Sequence, residues 1–269
     1  IAQPLQHNTE AHLHVGTAHA LARVALLEGN ALPPGAGVMA QLRLDRPLPV
    51  VPGDRFVLRL HVDDHVGLTT IGGGRVVGVS NRRLRRRRPG VREALLARDA
   101  ALDDPAAWCE TILIEAAEPR RVAELAAAAH LLAAEVQGVV AELRQRGAVV
   151  DAGGGRFAAR RTVDSAAQGV VEHLQQHHAD HPDQVGLSTL ALAEALGVNH
   201  AVVRLAAASL VEQSTAAWRG DLLALVGHEM ALDDADRELA ERIVTAYRDA
   251  GLASPRPSEL AAALGESDR

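Results

Sequence analysis

The sequence predicts a multidomain protein, in which a small antiparallel β-barrel is followed by tandem winged-helix domains of mostly helical α+β structure. Two observations support this prediction. Over residues 11–79, short apolar or alternating runs are separated by turn signals with Gly and Pro, a pattern typical of a small barrel. After residue 104, helical patterns recur in groups, and a hairpin signal with glycine follows each complete group, which indicates a winged helix-turn-helix.

The strands of the barrel are predicted from period-two alternation along the sequence and from the turn residues that separate the runs. His12, His14 and Gly16 alternate with Leu13, Val15 and Thr17 at period two. Further strands are predicted at Leu21–Leu27, Val38–Leu44, Phe56–Val62 and Arg75–Val79. The run Gly72–Gly74 is predicted to form a tight turn before the last strand, because it lacks the spaced glycines and the Lys-Ser/Thr of a phosphate loop.

The first winged helix is predicted from three helices at 107–117, 120–128 and 132–146 and a hairpin at 148–158. Its third helix should be amphipathic, with one apolar face made of Leu132, Val136, Val139, Val140 and Leu143. Gly147 is well placed to end that helix, because glycine readily adopts the left-handed backbone conformation of a helix C-terminus.

The second winged helix repeats this order. A helix at 165–178 is followed by helices capped by Ser188 and Asn199, and then by strands at Val211–Thr215 and Leu222–Val226. A third group has helices at 236–250 and from Pro257 to Leu264, without a third helix or a wing. The predicted boundaries are 1–80 for the barrel, 81–104 for an Arg-rich hinge and connecting helix, 105–161 and 162–228 for two winged helices, and 229–269 for a truncated third.

The charge is distributed unevenly along the chain. All 28 basic residues are arginine; residues 1–92 hold 13 Arg against 6 Asp and Glu, whereas residues 93–269 hold 15 Arg against 28 acids. A positive first third suits a surface that faces phosphates. The single cysteine and the absence of a membrane-length apolar run predict a cytoplasmic protein without a membrane partner.

The densest positive charge is a run of six arginines within seven residues, and it is the main candidate for RNA contact. Its members are Arg82, Arg83, Arg85, Arg86, Arg87 and Arg88. Six guanidinium groups repel one another unless solvent or an anion screens them, and phosphate contacts would make binding salt-dependent. The alternative interpretation is a solvated hinge.

Other reactive residues give weaker signals. His173, His177 and His181 are spaced four apart, with His178 beside them, and the first two could share a helix face. However, Pro182 follows and no zinc-binding pattern is present, so a polar helix end is predicted instead of a metal site. Cys109 is predicted to be a buried apolar residue, because no base is indicated beside it. No catalytic residue is therefore predicted.

The third helices of the two complete winged helices are not basic. The polar face of the first carries Glu135, Gln137, Glu142, Arg144 and Gln145, and that of the second carries His200, Arg204 and Glu212. Groove-reading helices usually present a basic or amide-rich face. A spacer role is therefore favoured over direct groove reading.

Several motifs resemble the bacterial selenocysteine-specific translation elongation factor. HLHVGTAHALARV at 12–24, PGDRFVLR at 52–59 and TIGGGRVV at 70–77 resemble its third domain, a barrel like domain 3 of elongation factor Tu. The arginine hinge, the winged helices and AGLASPRPSELAAALG at 250–265 resemble its C-terminal extension. The chain starts without Met and stops in mid-pattern, so a fragment is expected, with the first barrel strand missing.

The resemblance implies partners and a role. The family delivers selenocysteinyl-tRNA to the ribosome at UGA codons marked by an mRNA hairpin, and its last winged helix holds that hairpin. In elongation factor Tu the turn that matches Thr70, Gly72, Gly73 and Gly74 lies against the tRNA T-stem, which makes these residues and Arg75 candidate RNA contacts. GTP and Mg²⁺ would bind an N-terminal GTPase domain outside this segment, which itself needs no cofactor and is expected to be monomeric.

Two other functions stay open at this point. A transcription regulator whose winged helices read DNA would use the same folds. A small hydrolase could use Asp63, Asp64 and His65, although that cluster lacks a phosphate loop, a metal signature and a nucleophile.

Overall fold

The computed structural model describes residues 4–61, 67–86, 88–229, 234–250 and 255–264. The chain forms two compact units, residues 1–161 and residues 162–269. The hydrolase candidates Asp63, Asp64 and His65, and Arg87 of the arginine run, lie outside the described residues.

The first unit begins with seven antiparallel strands. They are β1 (Leu5–Gln6), β2 (Thr9–Val15), β3 (Ala18–Leu26), β4 (Ala31–Leu32), β5 (Ala40–Leu44), β6 (Arg55–His61) and β7 (Leu68–Arg75). Five of them form one sheet in the order β5-β3-β2-β6-β7, and β1 pairs with β4. Within the described residues, β5 and β7 are the two edges of the larger sheet.

The core of this β domain follows from the period-two alternation of its strands. Leu13 of β2 lies opposite Ala20 of β3 and Leu58 of β6, and all three are buried. Leu5 of β1 and Leu32 of β4 pack against the same core, so the two sheets enclose one apolar interior. The outer face is left to polar residues, which include the histidines of β2.

The predicted glycine turn is wrong. Gly72, Gly73 and Gly74 lie inside β7 and pair with Leu58, Val57 and Phe56 of β6, respectively. A Cβ atom at Gly73 would overlap the carbonyl oxygen of Phe56, and one at Gly74 would lie 2.7 Å from the Phe56 ring. Gly73 and Gly74 are therefore needed for the close approach of two strands. A run of glycines in the sequence does not distinguish this use from a turn.

The strand predicted at Arg75–Val79 is also displaced, because β7 ends at Arg75. Val76 continues the strand contact for one residue: its N–H donates to the Asp54 carbonyl at 2.8 Å, and its carbonyl accepts from Gly53 N–H at 2.7 Å. Residues 77–86 then run without regular structure.

The first unit continues with a winged helix. Its elements are α1 (Val91–Ala101), α2 (Pro105–Ala116), β8 (Arg120–Arg121), α3 (Val122–Ala129), α4 (Ala133–Gln145), β9 (Val149–Gly153) and β10 (Arg156–Ala159). Helices α3 and α4 meet at 109° across a three-residue turn, the geometry of a helix-turn-helix. β8, which the sequence did not predict, joins the wing in the sheet order β8-β10-β9.

The amphipathic face predicted for α4 is confirmed at four of five positions. Val136, Val139, Val140 and Leu143 are buried against α2 and α3. Leu132 is 76% exposed, because it precedes the helix as its N-cap and the turn directs it outward. The helix ends at Gln145 with Arg146 as its C-cap, and Gly147 follows with φ +70°.

The second unit contains the repeat. Its elements are α5 (Arg160–Asp180, which begins two residues before the unit), α6 (Thr189–Leu196), α7 (His200–Glu212), β11 (Ala216–Arg219), β12 (Leu222–Leu225), α8 (Asp234–Ala250) and α9 (Pro257–Leu264). Helices α6 and α7 meet at 118°. Both predicted N-caps are confirmed: Ser188 Oγ accepts from Ala191 N–H at 3.2 Å, and Asn199 Oδ1 accepts from Ala201 N–H at 2.9 Å.

The strand predicted at Val211–Thr215 is wrong. Val211 and Glu212 are the last turn of α7, and the strand begins only at Ala216. A β-branched apolar residue such as Val211 fits both the end of a helix and the start of a strand. Here Leu210 packs in the core as part of α7, and the helix continues through Val211. Within the described residues no single helix could cross a membrane, although each helix-turn-helix has the length and composition to do so as a bent pair.

Candidate nucleic-acid interface

The arginine run leaves four cationic side chains facing solvent. Arg82, Arg83, Arg85 and Arg88 are exposed, and none of their guanidinium groups has a hydrogen-bond or ion-pair partner within the part of the chain that the structure describes. Four unpaired positive charges within seven residues produce a local field that favours a polyanion.

The segment that carries these arginines is held against the β domain. The Gln41 side chain on β5 donates to the Arg82 carbonyl at 2.8 Å and accepts from the Leu84 N–H at 3.1 Å. Arg86 reaches the loop before β4, where it donates to Gly29 O and to Asn30 Oδ1. The hinge therefore lies along one edge of the sheet. The backbone that carries its exposed guanidinium groups is held there by hydrogen bonds.

The second predicted patch lies on the edge strand β7. Thr70 and Gly72–Gly74 are exposed there, so a nucleic-acid backbone could approach the strand closely. Thr70 lies directly opposite Arg59 of β6, whose Nη2 donates to the Leu68 carbonyl at 2.6 Å. Arg59 is therefore a cation beside this patch, and no sequence pattern predicted a role for it.

Arg75, at the end of β7, forms ion pairs with two carboxylates. Its guanidinium bonds both oxygens of Asp103 at 2.7 and 2.8 Å and Asp99 Oδ1 at 2.9 Å. The hydrogen bonds to Asp103 and Asp99 raise the pKa of Arg75. A phosphate contact by this group would require it to leave these carboxylates, so its role in this structure is to attach the α1 end to the barrel.

Two further ion pairs hold α1. Arg92 Nε lies 2.6 Å from Glu28 Oε1 in the β domain, and Arg98 lies 2.5 Å from Glu115 of α2. Together with Arg75, these contacts join the barrel, α1 and the first winged helix through charged side chains. Helix α1 is therefore the structural connection between the candidate interface and the first winged helix.

A row of imidazoles covers the outer face of the sheet beside Arg59. The His12 and His61 rings are 6.0 Å apart, and the His14 and His19 rings are 5.9 Å apart. Burial and then the positive charge of Arg59 lower the pKa of His14. The alternation of His12 and His14 indicated a shared face, but the sequence could not show that β3 and β6 add two more histidines.

The third helices of the winged-helix domains present the faces predicted for them. Glu135, Gln137 and Glu142 of α4 are exposed. Arg144 lies 5.9 Å from the Phe157 ring centroid and 3.9 Å from Asp151, and Arg146 pairs with Glu142. On α7, His200, Arg204 and Glu212 are exposed. Neither face offers a concentrated positive charge.

The remaining candidates have structural roles. Cys109 is fully buried in α2, and burial, followed by the negative charge of Glu135, raises the pKa of its thiol to about 11. His178 stacks on His228 at 3.6 Å, and the His177 ring lies 5.1 Å from His181. Among the described residues, no group of three or more His, Cys, Asp or Glu side chains could hold a metal ion.

Comparison with known proteins points to one family. Residues 1–83 match the family model described as the β-barrel domain of the selenocysteine-specific elongation factor. The selenocysteine-specific elongation factor of Desulfomicrobium baculatum is 29% identical over 259 residues, which cover 94% of this chain and 39% of that protein. This chain thus spans about two fifths of its relative's length.

One solved structure has a similar fold. The crystal structure of bacterial selenocysteine-specific elongation factor EF-Sec aligns with a TM-score of 0.51 at 12% identity, covering 92% of this chain and 36% of that one. A further similarity, with a TM-score of 0.31 at 13% identity, is to the mRNA-binding domain of elongation factor SelB from E. coli in complex with SECIS RNA; it covers 44% of this chain and 96% of that one. The predicted fold class, a β-barrel domain followed by winged helices, and the predicted resemblance are confirmed: the chain is similar, over nearly all its length, to part of the bacterial selenocysteine-specific elongation factors.

Proposed function

We propose that this chain is part of a translation elongation factor that delivers selenocysteinyl-tRNA to the ribosome at UGA codons marked by an mRNA hairpin. The observation that carries the proposal is the match of residues 1–83 to the barrel domain of that family, together with similarity over 94% of the chain. As a translation factor it would act in the cytoplasm.

In this proposal the β domain and the arginine run hold folded RNA. Structured RNA is bound mainly through phosphates, 2′-hydroxyls and shape, which the exposed strand β7 and the unpaired Arg82, Arg83, Arg85 and Arg88 can supply. Arg75 contributes by fixing α1 to the barrel through Asp99 and Asp103. Arg86 fixes the hinge through Asn30 and the Gly29 carbonyl.

The winged helices would act as a connecting arm. Their third helices carry mixed or acidic faces, so the arm positions an mRNA-binding module instead of gripping RNA along its own length. Tethering the tRNA to a site that binds the mRNA hairpin raises the effective concentration of the tRNA at its codon without new contacts.

GTP hydrolysis would belong to a different part of the full-length factor. GTP and Mg²⁺ are therefore proposed as cofactors of that part, and tRNA, the mRNA hairpin and the ribosome as partners of the whole. A DNA-binding regulator is less well supported, since the similarity extends over the β domain as well as the helix-turn-helix units.

Fluorescence anisotropy with the 269-residue chain tests the RNA-binding part. Selenocysteine tRNA should bind more tightly than duplex DNA of similar length and charge. Equal or tighter binding of the DNA would favour the regulator. A chimera tests the delivery role: this segment replaces the corresponding 39% of the Desulfomicrobium baculatum relative, and UGA readthrough is measured with and without the mRNA hairpin. Readthrough that does not depend on the hairpin would contradict the proposal.

A further inference from the structure

One imidazole and two guanidinium groups from separate parts of the β domain lie close enough to interact electrostatically. They are His7 in the turn between β1 and β2, Arg43 on β5 and Arg86 in the hinge. The backbone N–H of His7 donates to the Asn30 carbonyl at 2.8 Å, and Arg86 Nη2 donates to Asn30 Oδ1 at 3.1 Å, so both residues contact Asn30.

Strand register brings Arg43 to the same place. The residue after His7, Asn8, donates its N–H to the Val24 carbonyl at 2.8 Å, and Val24 lies opposite Leu42 on β5, one residue before Arg43. Gln41, two residues before Arg43 and therefore on the same face of β5, bonds the hinge at Arg82 and Leu84. The hinge thus passes over the face that carries Arg43.

Each of the three side chains has a buried nitrogen without a partner. Among the described residues, His7 Nδ1, Arg43 Nε and Arg86 Nε are shielded from solvent and make no hydrogen bond. A buried donor without an acceptor is destabilising, most of all when it is charged. The two guanidinium N–H groups without an acceptor, next to an imidazole whose Nδ1 is also unpaired, indicate a missing acceptor.

No carboxylate among the described residues balances this charge. Glu10 pairs with Arg23 at 2.9 Å, and Glu28 pairs with Arg92 at 2.6 Å. Arg23 itself lies opposite Arg43 in the register of β3 and β5, which adds another cation. Burial, and then the positive charges of Arg86 and Arg43, lower the pKa of His7, with an opposing contribution from a hydrogen bond to the backbone of Leu26.

We propose that His7, Arg43 and Arg86 form a binding site for one phosphate group, at the junction of the β domain and the arginine hinge. Guanidinium N–H groups and an imidazolium donate to phosphate oxygens and pair with the negative charge. The inference rests on the proposed function in one respect: the expected source of the phosphate is the backbone of bound RNA. Binding there would add a further contact between the hinge and the β domain, because Arg86 belongs to the hinge.

The test uses sulfate, which has the shape of phosphate and does not titrate near neutral pH. The Cε1–H resonance of His7 is followed by NMR in the 269-residue chain, from pH 5 to 8, in sodium sulfate and in sodium chloride of equal ionic strength. The variant His7→Gln assigns the resonance. Sulfate should raise the pKa of His7 by roughly half a unit or more, since a bound anion favours the protonated ring.

Two variants and a matched control locate the effect. Arg43→Gln and Arg86→Gln each remove one proposed donor, and each should abolish the sulfate-induced rise. Arg55→Gln removes one charge from an exposed position on β6 and should retain it. If Arg86→Gln loosens the hinge, Arg43→Gln still decides the result. No sulfate effect on His7, or an undiminished effect in both donor variants, would overturn the site.

A final arm identifies the source of the phosphate. Selenocysteine tRNA is added at low salt, and overall binding is followed separately by anisotropy. A shift of the His7 resonance that Arg43→Gln removes assigns the site to RNA phosphate. Anisotropy binding without a His7 shift, in a protein that responds to sulfate, assigns the site to a free anion. Loss of anisotropy binding alone would count against the proposed function and leave the sulfate result standing.

Discussion

At the residue scale, Phe56 explains two of the three consecutive glycines of β7. Its carbonyl oxygen lies where a Cβ of Gly73 would be, and its ring lies where a Cβ of Gly74 would be. Gly72, in the same strand, has open space around it. Only part of the motif is therefore required by packing within the β domain.

We expect Gly73→Ala to destabilise the protein and Gly72→Ala to be tolerated. The first places a methyl group on the Phe56 carbonyl oxygen, an overlap that forces the strands apart at a cost of about 1–3 kcal/mol. Urea denaturation of both variants measures the difference. Equal free energies of unfolding would show that β7 can shift away from β6 without penalty.

The buried thiol of Cys109 gives a prediction on pH. Because its pKa rises from 9.0 to about 11 on folding, the folded state keeps the thiol neutral where the unfolded state ionises it. This contribution to stability is complete below pH 9 and is lost as the pH rises to about 11, at about 1.4 kcal/mol per pH unit. Cys109→Ala should lack that loss in denaturation curves between pH 8 and 11; parallel curves for both proteins would contradict the prediction.

At the element scale, α1 is fixed to the barrel by ion pairs, without an extensive apolar interface. Ala101 is its one residue with a buried side chain among the described residues. Arg75 of β7 pairs with Asp99 of α1, and Arg92 of α1 pairs with Glu28 of the β domain. Partly exposed ion pairs usually contribute little singly, but a bidentate network contributes more.

A double-mutant cycle on Arg75 and Asp103 measures this attachment. Arg75→Gln and Asp103→Asn should each lower the free energy of unfolding, and their effects should be coupled, with a coupling that decreases at high salt. The exposed Arg55→Gln serves as a control for the removal of one charge from the barrel. Additive effects of the two substitutions would mean that solvent screens this pair completely.

The end of α5 is held by stacked imidazoles. His178 lies 3.6 Å from His228, whose Nε2 is 2.8 Å from the Gln184 carbonyl oxygen. Burial, followed by the nearby charges of His228 and His177, lowers the pKa of His178. Folding therefore favours the neutral ring, so stability is present above pH 6.5 and is lost as the pH falls below it.

His178→Phe keeps a stacked ring and removes the titrating group. The variant should show a weaker decrease in melting temperature between pH 7 and pH 5 than the parent protein. His19→Phe, which replaces a stacked histidine of the other unit, is the comparison. An unchanged pH dependence in His178→Phe would show that the pair adapts to protonation without cost.

At the scale of the whole molecule, the first third of the chain has a positive net charge and the remainder has a negative net charge. Residues 1–92 hold 13 Arg against 6 acids, and the rest of the chain holds 15 Arg against 28. RNA affinity should therefore depend on where an arginine lies more than on net charge.

Two sets of four substitutions to Gln test this. One set removes the exposed arginines of the hinge, Arg82, Arg83, Arg85 and Arg88, and the matched set removes exposed arginines of the helical modules, Arg160, Arg161, Arg204 and Arg219. Only the hinge set should weaken RNA binding, and it should reduce the slope of log K against log salt by roughly 0.7–0.9 for each phosphate that is no longer neutralised. Equal weakening in both sets would mean that binding follows net charge alone.

The helix-turn-helix units were readable from local signals. Each of these signals acts within a few residues, so the sequence is sufficient to predict it. They are the apolar stripe from Val136 to Leu143, the N-caps Ser188 and Asn199 and the glycine after α4. The errors fall where the same local pattern serves two structures. A glycine run suits a turn or a close strand pair, and Val211 suits a helix end or a strand start.

The candidate interface was predictable only in part. The sequence itself determined the alternation of the β domain, the helical groups, the density of arginine and the motifs shared with selenocysteine-specific elongation factors. The tertiary structure alone decided which arginines are free: Arg75 meets Asp99 and Asp103, Arg86 meets Asn30, and Arg82 stays in solvent. The reason is physical, because a charge pairs with whatever the fold brings within a few ångströms, and residues 24 to 56 positions apart come together only when the strands have paired.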